Sequence, residues 1–217
     1  MELRVIKESI LKSNENYAQK IRALLNDQQI LMVNFISSPG SGKTSLLEKI
    51  IPLLKDKGID VAVIEGDCYT TKDGERIKAL DVPITQINTQ GGCHLEAYTI
   101  HQALTEQDLT DIDVIFIENV GNLVCPTEFD LGEDYKIAVL STAEGNDKPL
   151  KYPMLFRDCP ITILNKIDLI PYTDFDINNF RLDLQKINNN SKIFLTSCRT
   201  GEGIQSLVDY FNKQLKK

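Results

Sequence analysis

The stretch Met32–Thr44, MVNFISSPGSGKT, joins a short apolar segment to a glycine-rich turn. Its apolar part, Met32–Ile36, is typical of a buried strand, and Thr44 begins a segment with helical spacing of apolar residues. Gly40 and Gly42 allow the backbone between them to fold tightly and to direct its N–H groups inward. The N-terminus of the following helix adds a dipole that favours anions. The stretch therefore predicts a phosphate-binding loop between a strand and a helix.

The side chains of this loop predict nucleotide binding with magnesium. Lys43 is expected to contact the β- and γ-phosphates, and the Thr44 hydroxyl is expected to hold Mg²⁺. Ser37 stands where the usual eight-residue pattern has its first glycine, and the remainder, PGSGKT, is intact. The predicted phosphate-contacting residues are Gly40, Ser41, Gly42, Lys43, Thr44 and Ser45.

Apolar runs alternate with helical segments along the rest of the chain. Several runs are rich in Val and Ile and nearly continuous, which is typical of strands buried on both faces of a mainly parallel sheet. Alternation of this kind predicts an α/β doubly wound fold with ligands beyond the carboxyl ends of the strands. The predicted strands are 30–37, 61–65, 84–87, 114–118, 136–140, 161–165 and 193–196, and the predicted helices are 44–57, 74–80, 95–107, 178–186 and 203–216.

The N-terminal segment carries its apolar residues at helical spacing from Leu3 to Leu25 and predicts one amphipathic helix. We divide the 217 residues into an N-terminal helical extension, 1–28, and a nucleotide-binding domain of P-loop type, 29–217. Core packing is the default interpretation of the apolar stripe of this helix.

The composition excludes several classes of function. A net charge of −7 argues against a nucleic-acid backbone or an anionic membrane as the main partner. No apolar run reaches the length of a membrane span, and the first residues lack the apolar core of a signal peptide. We therefore expect a cytoplasmic protein with reduced cysteines.

A base-recognition motif follows the sixth predicted strand. Asn165-Lys166-Ile167-Asp168 has the form NKxD. The Asp168 carboxylate can accept hydrogen bonds from guanine N1–H and its exocyclic amine, Asn165 can bond the base edge, and the stem of Lys166 can lie along the ring. A site built on such bonds rejects an analogue that lacks them by roughly 10⁴–10⁵. The segment with Ser197 and Cys198 is expected to pack beside the base, so GTP and GDP are the predicted ligands.

Two further carboxylates are placed to serve Mg²⁺. Glu118 ends the apolar strand 114–118, and Gly121 follows three residues later, which resembles the DxxG element of GTPases. Glu118 is expected to hold a magnesium-bound water, and the Gly121 N–H is expected to sense the γ-phosphate. Asp67 follows the second strand as another magnesium-side carboxylate, although a loop Asp often only caps a turn. Lys43, Glu118 and Gly121 are the predicted catalytic residues.

Thiols and an imidazole form a second group of candidate ligands. Cys93 and His94 are adjacent, and Cys125 comes four residues after Gly121. Thiolate and imidazole suit Zn²⁺ and Ni²⁺, but three ligands do not close a four-coordinate site unless a symmetric dimer shares them. An incidental Cys–His pair is the alternative that these residues leave open. The other cysteines, Cys68, Cys159 and Cys198, are interpreted as structural.

Several motifs together resemble the HypB family of hydrogenase maturation GTPases. They are SSPGSGKT (37–44), EGD (65–67), GGCHLEA (91–97), ENVGNLVCP (118–126), EGNDKPLKYP (144–153) and NKIDLIPY (165–172). The nucleotide motifs predict GTP hydrolysis, with slow turnover because no general base is evident. The resemblance implies nickel insertion into nickel–iron hydrogenase, with a HypA-type nickel chaperone and the hydrogenase large subunit precursor as partners. It also implies a homodimer when GTP is bound, Ni²⁺ or Zn²⁺ at Cys93, His94 and Cys125, and contact of Lys148 with the partner's nucleotide.

Two departures from the family and three alternatives bear on that interpretation. The chain has no cysteine before Cys68 and only two histidines, so the cysteine-rich motif and the histidine-rich tract of some members are absent from it. The alternatives are a related metallochaperone GTPase of the urease type, a small-molecule kinase with a P-loop, and a zinc-stabilised scaffold with negligible hydrolysis. NKxD argues against the kinase, and ENVGNLVCP argues against the urease type.

Overall fold

A computed structural model describes the backbone of residues 6–215 and the side chains from residue 11 onward. The strands are β1 (Leu31–Ser37), β2 (Val61–Asp67), β3 (Ile84–Asn88), β4 (Val114–Glu118), β5 (Tyr135–Ser141), β6 (Ile161–Asn165) and β7 (Lys192–Leu195). The helices are α1 (Ile6–Gln28), α2 (Lys43–Lys55), α3 (Lys72–Lys78), α4 (Ala97–Glu106), α5 (Cys125–Glu128), α6 (Lys148–Lys151), α7 (Pro153–Asp158), α8 (Ile177–Ile187) and α9 (Ile204–Leu215). Short 3₁₀ turns cover Thr142–Glu144 and Ile167–Tyr172.

All seven strands described lie parallel in one sheet, in the order β3-β2-β4-β1-β5-β6-β7. The predicted α/β doubly wound fold is confirmed. β1 lies at the centre, and its side chains from Met32 to Ser37 are buried because helices cover both faces of the sheet. The later strands lie on both sides of β1, with β2, β3 and β4 on one side and β5, β6 and β7 on the other. The carboxyl ends of β1, β2, β4 and β6 therefore surround one crevice.

Apolar side chains fill both faces of the sheet. On one face α2 and α9 pack over β1, β2 and β4, with the rings of Phe35, Phe116 and Phe211 within 5.3 to 6.4 Å of one another. On the other face α1 packs against α4, and Ile21 and Leu25 are almost fully buried. The apolar stripe of α1 therefore does pack into the core. The predicted start of this helix at Leu3 and the predicted end of the last helix at Lys216 lie outside the described residues.

Some element bounds differ from the sequence-based expectation. α3 begins at Lys72 rather than 74, α4 begins at Ala97 rather than 95, and β2 continues through Asp67 rather than stopping at Glu65. The short helices α5, α6 and α7 were not predicted, because each is four to six residues long and has a proline at its start. Within residues 6–215 no helix has the length and apolar character needed to cross a bilayer.

Gly203, just before α9, is the position where a side chain is least tolerable. Its φ of +74° favours glycine, and an added Cβ would overlap the backbone carbonyl oxygen of Leu195. We expect Gly203→Ala to lower the free energy of unfolding by about 2–4 kcal/mol, measured by urea denaturation. Gly201→Ala is the matched control, since its φ of +84° is as strained but its Cβ would meet no atom within 4 Å. Equal losses in the two variants would contradict a backbone clash.

Candidate functional site

The phosphate loop is formed between β1 and α2, as predicted. Gly40 and Gly42 have φ values of +76° and +101°, so both use the left-handed region. A Cβ on Gly42 would meet the Asn165 amide nitrogen at 2.5 Å, which means that the loop passes too close to β6 for any side chain. The Lys43 ammonium turns back over the loop and donates to the Ser37 hydroxyl at 2.9 Å. Ser37 thus anchors the lysine from the position where a glycine is usual.

A cavity of about 450 Å³ opens above this loop. Lys43 and Thr44 line it from α2, and Glu118 and Asp67 line it from the ends of β4 and β2. The predicted residues that line the cavity are Gly40, Gly42, Lys43, Thr44, Ser45, Asp67, Glu118, Gly121 and Lys166. Residues from four separate segments that the sequence assigned to the nucleotide site thus lie around one cavity.

Glu118 and Thr44 are in direct contact. The Thr44 hydroxyl donates to Glu118 Oε1 at 2.7 Å, and Glu118 Oε2 is buried without a hydrogen-bond partner. Glu65 is the neighbour of Glu118 across the β2–β4 pair, and its Oε2 is likewise buried and unpartnered. The carboxyl groups of Glu65 and Glu118 face the buried ammonium of Lys43. This set of oxygen donors fits Mg²⁺.

Burial also shifts the pKa values of these groups. Desolvation lowers the pKa of Lys43 and raises the pKa of Glu118. The pKa of Glu65 rises to about 8, first because of burial and then because of the neighbouring charge of Glu118. From sequence, Glu65 is noted only as part of the EGD motif and is not assigned to the site. A single acid in a strand gives no sign that its neighbour on the adjacent strand is also acidic.

Glu65 predicts a pH dependence of the metal-free and nucleotide-free chain. Its pKa in the folded chain, about 8, lies above the ordinary 4.5, so the folded chain holds the proton more tightly than the unfolded chain. Stability from this group is fully present below pH 4.5 and is lost as the pH rises through 8. Between low and high pH, we expect the free energy of unfolding of the Glu65→Gln variant to fall by about 2–4 kcal/mol less than that of the wild type. The check is urea denaturation with chelator at several pH values, and equal pH slopes in both proteins would contradict the assignment.

Arg76 is a cation of this cavity that sequence reasoning missed. It lies on α3, and its guanidinium donates to Ser45 Oγ at 3.0 Å and to Glu48 Oε2 at 2.7 Å. Hydrogen bonds to Glu48 and Asp73 raise its pKa, so it stays charged beside the phosphate loop. Nothing in the sequence around an arginine on a short surface helix predicts that it lies beside the phosphate loop.

The base-recognition residues lie around a second cavity of about 440 Å³, beside the first. Asn165, Lys166, Asp168 and Cys198 all line it, as the prediction requires. The Asn165 amide donates to the Ser41 carbonyl at 3.0 Å, and the Lys166 ammonium donates to the Gly40 carbonyl at 2.7 Å. The base site and the phosphate loop are therefore bonded directly to each other.

Three residues predicted for the nucleotide site do not line either cavity. Ser197 lies behind the base site and donates to Asp168 Oδ1 at 2.6 Å, which fixes that carboxylate. Ser41 turns its hydroxyl to Glu144 Oε1 at 2.7 Å. The ammonium of Lys148 binds the Glu144 carbonyl oxygen at 2.5 Å and lies 3.4 Å from Asp147. Glu144 thus connects Lys148 to the phosphate loop of its own chain.

The candidate transition-metal ligands are brought together. The ligand atoms of Cys93, His94 and Cys125 all lie within 4.8 Å of one another, although the two segments that carry them are about thirty residues apart. Cys93 Sγ is 3.5 Å from His94 Nδ1, and a hydrogen bond with Cys125 raises the pKa of Cys93. All three side chains are half-buried, which leaves a path for an ion to enter.

The imidazole of His94 is fixed by its surroundings. Its ring stacks on Phe129 at a centroid distance of 3.8 Å, and burial lowers its pKa, so the neutral form that binds metals is favoured. Its Nε2 is buried without a hydrogen-bond partner, 4.0 Å from Glu96 Oε1. The next residue, Leu95, donates its backbone N–H to the Asn119 side chain at 3.2 Å, which joins this loop to the segment after β4. Soft donors, a neutral imidazole and partial exposure together fit Ni²⁺ or Zn²⁺.

The sequence and fold place the chain in a known family. Residues 31–195 match the nucleotide-binding domain of CobW/HypB/UreG proteins. The hydrogenase maturation factor HypB of Azotobacter chroococcum is 44% identical over 209 residues, which are 96% of this chain and 68% of that protein. This chain belongs to the HypB family. The HypB family consists of P-loop GTPases.

Two further HypB relatives match over nearly their whole lengths. The probable hydrogenase maturation factor HypB of Methanocaldococcus jannaschii is 39% identical, over 98% of this chain and 96% of its own. A crystal structure of Helicobacter pylori HypB in complex with nickel superposes with a TM-score of 0.88 at 35% identity, covering 94% of this chain and 95% of that one. The resemblance seen in the motifs is thus confirmed.

Proposed function

We propose that this chain binds and hydrolyses GTP and uses the state of the nucleotide to control the binding of Ni²⁺ at Cys93, His94 and Cys125. In this proposal it delivers the ion during maturation of nickel–iron hydrogenase, together with a HypA-type chaperone and the large subunit precursor. Its membership of a hydrogenase maturation family and the nickel in a relative support the cargo. The contact that carries the proposal is the one between Gly121 and Pro39.

This contact joins the two sites through one segment. A Cβ on Gly121 would meet the Pro39 Cα at 2.9 Å and the Pro39 nitrogen at 3.0 Å, so the segment after β4 lies directly against the phosphate loop. Cys125 begins α5 only four residues later. A shift of Gly121 toward or away from a γ-phosphate therefore moves the Cys125 thiol relative to Cys93 and His94.

The residues of the phosphate cavity have separable roles in hydrolysis. Lys43 neutralises the β- and γ-phosphates, and Arg76 adds positive charge from α3. Thr44, Asp67 and Glu118 would hold Mg²⁺, which supplies charge neutralisation of the phosphates when bound. Glu118 also orients water, and the Gly121 N–H binds the terminal phosphate. The chemistry needs positioning and charge more than a covalent catalyst, and we propose slow turnover for this site.

Dimerisation remains part of the proposal. Cys93, His94 and Cys125 supply three ligands, and a GTP-bound homodimer would bring a second set. Lys148 would have to leave the Glu144 carbonyl to reach a partner's nucleotide. We also propose a division into an N-terminal helical extension, residues 1–28, and a P-loop GTPase domain, residues 29–217.

The test is a titration of Ni²⁺ and Zn²⁺ in the presence of GDP and of a non-hydrolysable GTP analogue, with molecular mass followed throughout. We expect metal affinity to differ between the two nucleotides, and Cys125→Ser to weaken binding at least about tenfold and to remove the difference. Cys159→Ala is the thiol control, since that sulfur is fully buried beneath α7 and α8.

Equal metal affinity with both nucleotides would contradict the coupling. If Cys93→Ala and Cys125→Ser both bind metal like the wild type, the cluster is structural and only the GTPase activity remains. A chain that binds Zn²⁺ and dimerises but shows no turnover would instead be a zinc-stabilised scaffold, which the Cys₂His donor set also suits.

A further inference from the structure

A fourth thiol lies next to the cysteine–histidine cluster. Cys68 directly follows β2, and its thiol donates to the Gly92 carbonyl oxygen at 3.3 Å. Gly92 precedes Cys93, so three backbone bonds place the Cys68 sulfur at most about 7 Å from the Cys93 Cα. The charge of Cys68 is among the causes that raise the pKa of Cys93. Cys68 is half-buried and lines the phosphate cavity.

The cluster itself is one ligand short. Soft divalent ions with thiolate and imidazole ligands are most often four-coordinate, and Cys93, His94 and Cys125 supply three atoms within 4.8 Å of one another. Cys68 is outside that compact group, because its thiol is turned toward the Gly92 carbonyl. To reach the ion site, the Cys68 side chain would have to rotate and its loop would have to move slightly.

The loop that carries Cys68 is attached to a residue of the phosphate cavity. Asp67 Oδ1 accepts hydrogen bonds from the backbone N–H groups of Tyr69 and Thr70, each at 2.7 Å. Cys68 lies in the chain between Asp67 and the two residues whose amides the Asp67 carboxylate binds. A rotation of the Asp67 side chain would therefore move Cys68 as well. The Asp67 carbonyl also accepts from the Thr89 N–H at 2.9 Å, at the start of the loop that leads to Cys93.

We propose that Cys68 is the fourth ligand of the transition-metal site and that Asp67 sets its position according to the nucleotide. This rests on the proposed function and adds a second connection between the sites, separate from the segment of Gly121 and Cys125. On binding the ion, the Cys68 thiol loses its proton to water and breaks its hydrogen bond to Gly92. The complete site then has three thiolates and one imidazole from one chain, and a GTP-bound homodimer would hold two such complete sites.

The first test is titration of the full-length chain with Ni²⁺, with GDP and with a non-hydrolysable GTP analogue, at concentrations where the chain is monomeric. The thiolate-to-nickel absorption is recorded for the wild type, Cys68→Ser and Cys159→Ala. In the nucleotide state that binds Ni²⁺ more tightly, Cys68→Ser is expected to lose about a third of the absorption, since one thiolate of three is removed. Its affinity is expected to fall at least about tenfold, whereas Cys159→Ala, which removes a fully buried thiol outside both sites, keeps the wild-type spectrum and metal affinity.

A second measurement needs no substitution. The wild type is alkylated with iodoacetamide with and without bound Ni²⁺, and each cysteine is quantified by peptide mass spectrometry. Joint protection of Cys68, Cys93 and Cys125, with no protection of Cys198, is the expected result.

The outcomes separate this inference from the function on which it rests. If Cys68→Ser matches the wild type in spectrum and affinity while Cys93→Ser loses the metal, then Cys68 is not a ligand and the proposed function stands. If Cys93→Ser also binds like the wild type, both fail. Nickel absorption that appears only when the mass doubles would show that a second copy supplies the missing ligand, and would overturn the role of Cys68.

Discussion

Asp168→Ala is expected to reduce the preference for GDP over ADP by about 10³-fold. The carboxylate lines the base cavity, and Ser197 donates to its Oδ1 at 2.6 Å, which leaves Oδ2 for the N1–H and amine of guanine. Loss of an acceptor in a site built around it removes most of the discrimination between analogues. Competition binding of GDP and ADP to the wild type and the variant measures the change.

The exposed Asp174 offers a matched control. It lies six residues after Asp168, and Asp174→Ala changes the net charge in the same way without touching the base cavity. We expect the wild-type preference in that variant. A preference that survives in Asp168→Ala would place guanine elsewhere.

Gly121→Ala is expected to lower GTP turnover by about 10²–10³-fold and to remove the effect of nucleotide on metal affinity. The new Cβ would have to displace either Pro39, and with it the phosphate loop, or the segment that leads to Cys125. The measurements are single-turnover hydrolysis and the Ni²⁺ titration already described.

Gly74→Ala is the control for a glycine of ordinary backbone conformation. Its added Cβ would meet only the end of the flexible Gln86 side chain, at 2.7 Å, and not the backbone. We expect turnover close to that of the wild type. Normal turnover and normal coupling in Gly121→Ala would show that the contact with Pro39 does not connect the two sites.

The parts of the fold and site that sequence predicts are those with a local signal. Several strands, such as β4 and β6, are nearly continuous apolar runs, because helices cover both faces of the sheet, and the phosphate loop is one contiguous motif. Asn165 and Asp168 follow the end of a strand, and the carboxyl ends of parallel strands meet in one crevice, so their approach to Lys43 could be expected.

What could not be predicted depends on contacts between distant segments. Arg76 reaches Ser45 across 31 positions, and Cys68 reaches Gly92 across 24, and neither Arg76 nor Cys68 belongs to a motif. The pairing of Glu65 with Glu118 is decided by the register of β2 against β4, which the order of strands along the chain does not reveal. The compactness of the cluster of Cys93, His94 and Cys125 likewise depends on the loop after β4, and the sequence left it as one of two alternatives.

The bonds from Asn165 and Lys166 to the phosphate loop also bear on how long a nucleotide stays bound. The carbonyls of Ser41 and Gly40 already hold these side chains, so the loop is preorganised and needs little rearrangement when ligand enters. A ligand that contacts both cavities can leave only when its base and its phosphates are released together. We therefore expect GDP to have a residence time far longer than that of guanosine or pyrophosphate alone, and departure of the product to be a candidate for the slowest step of the cycle.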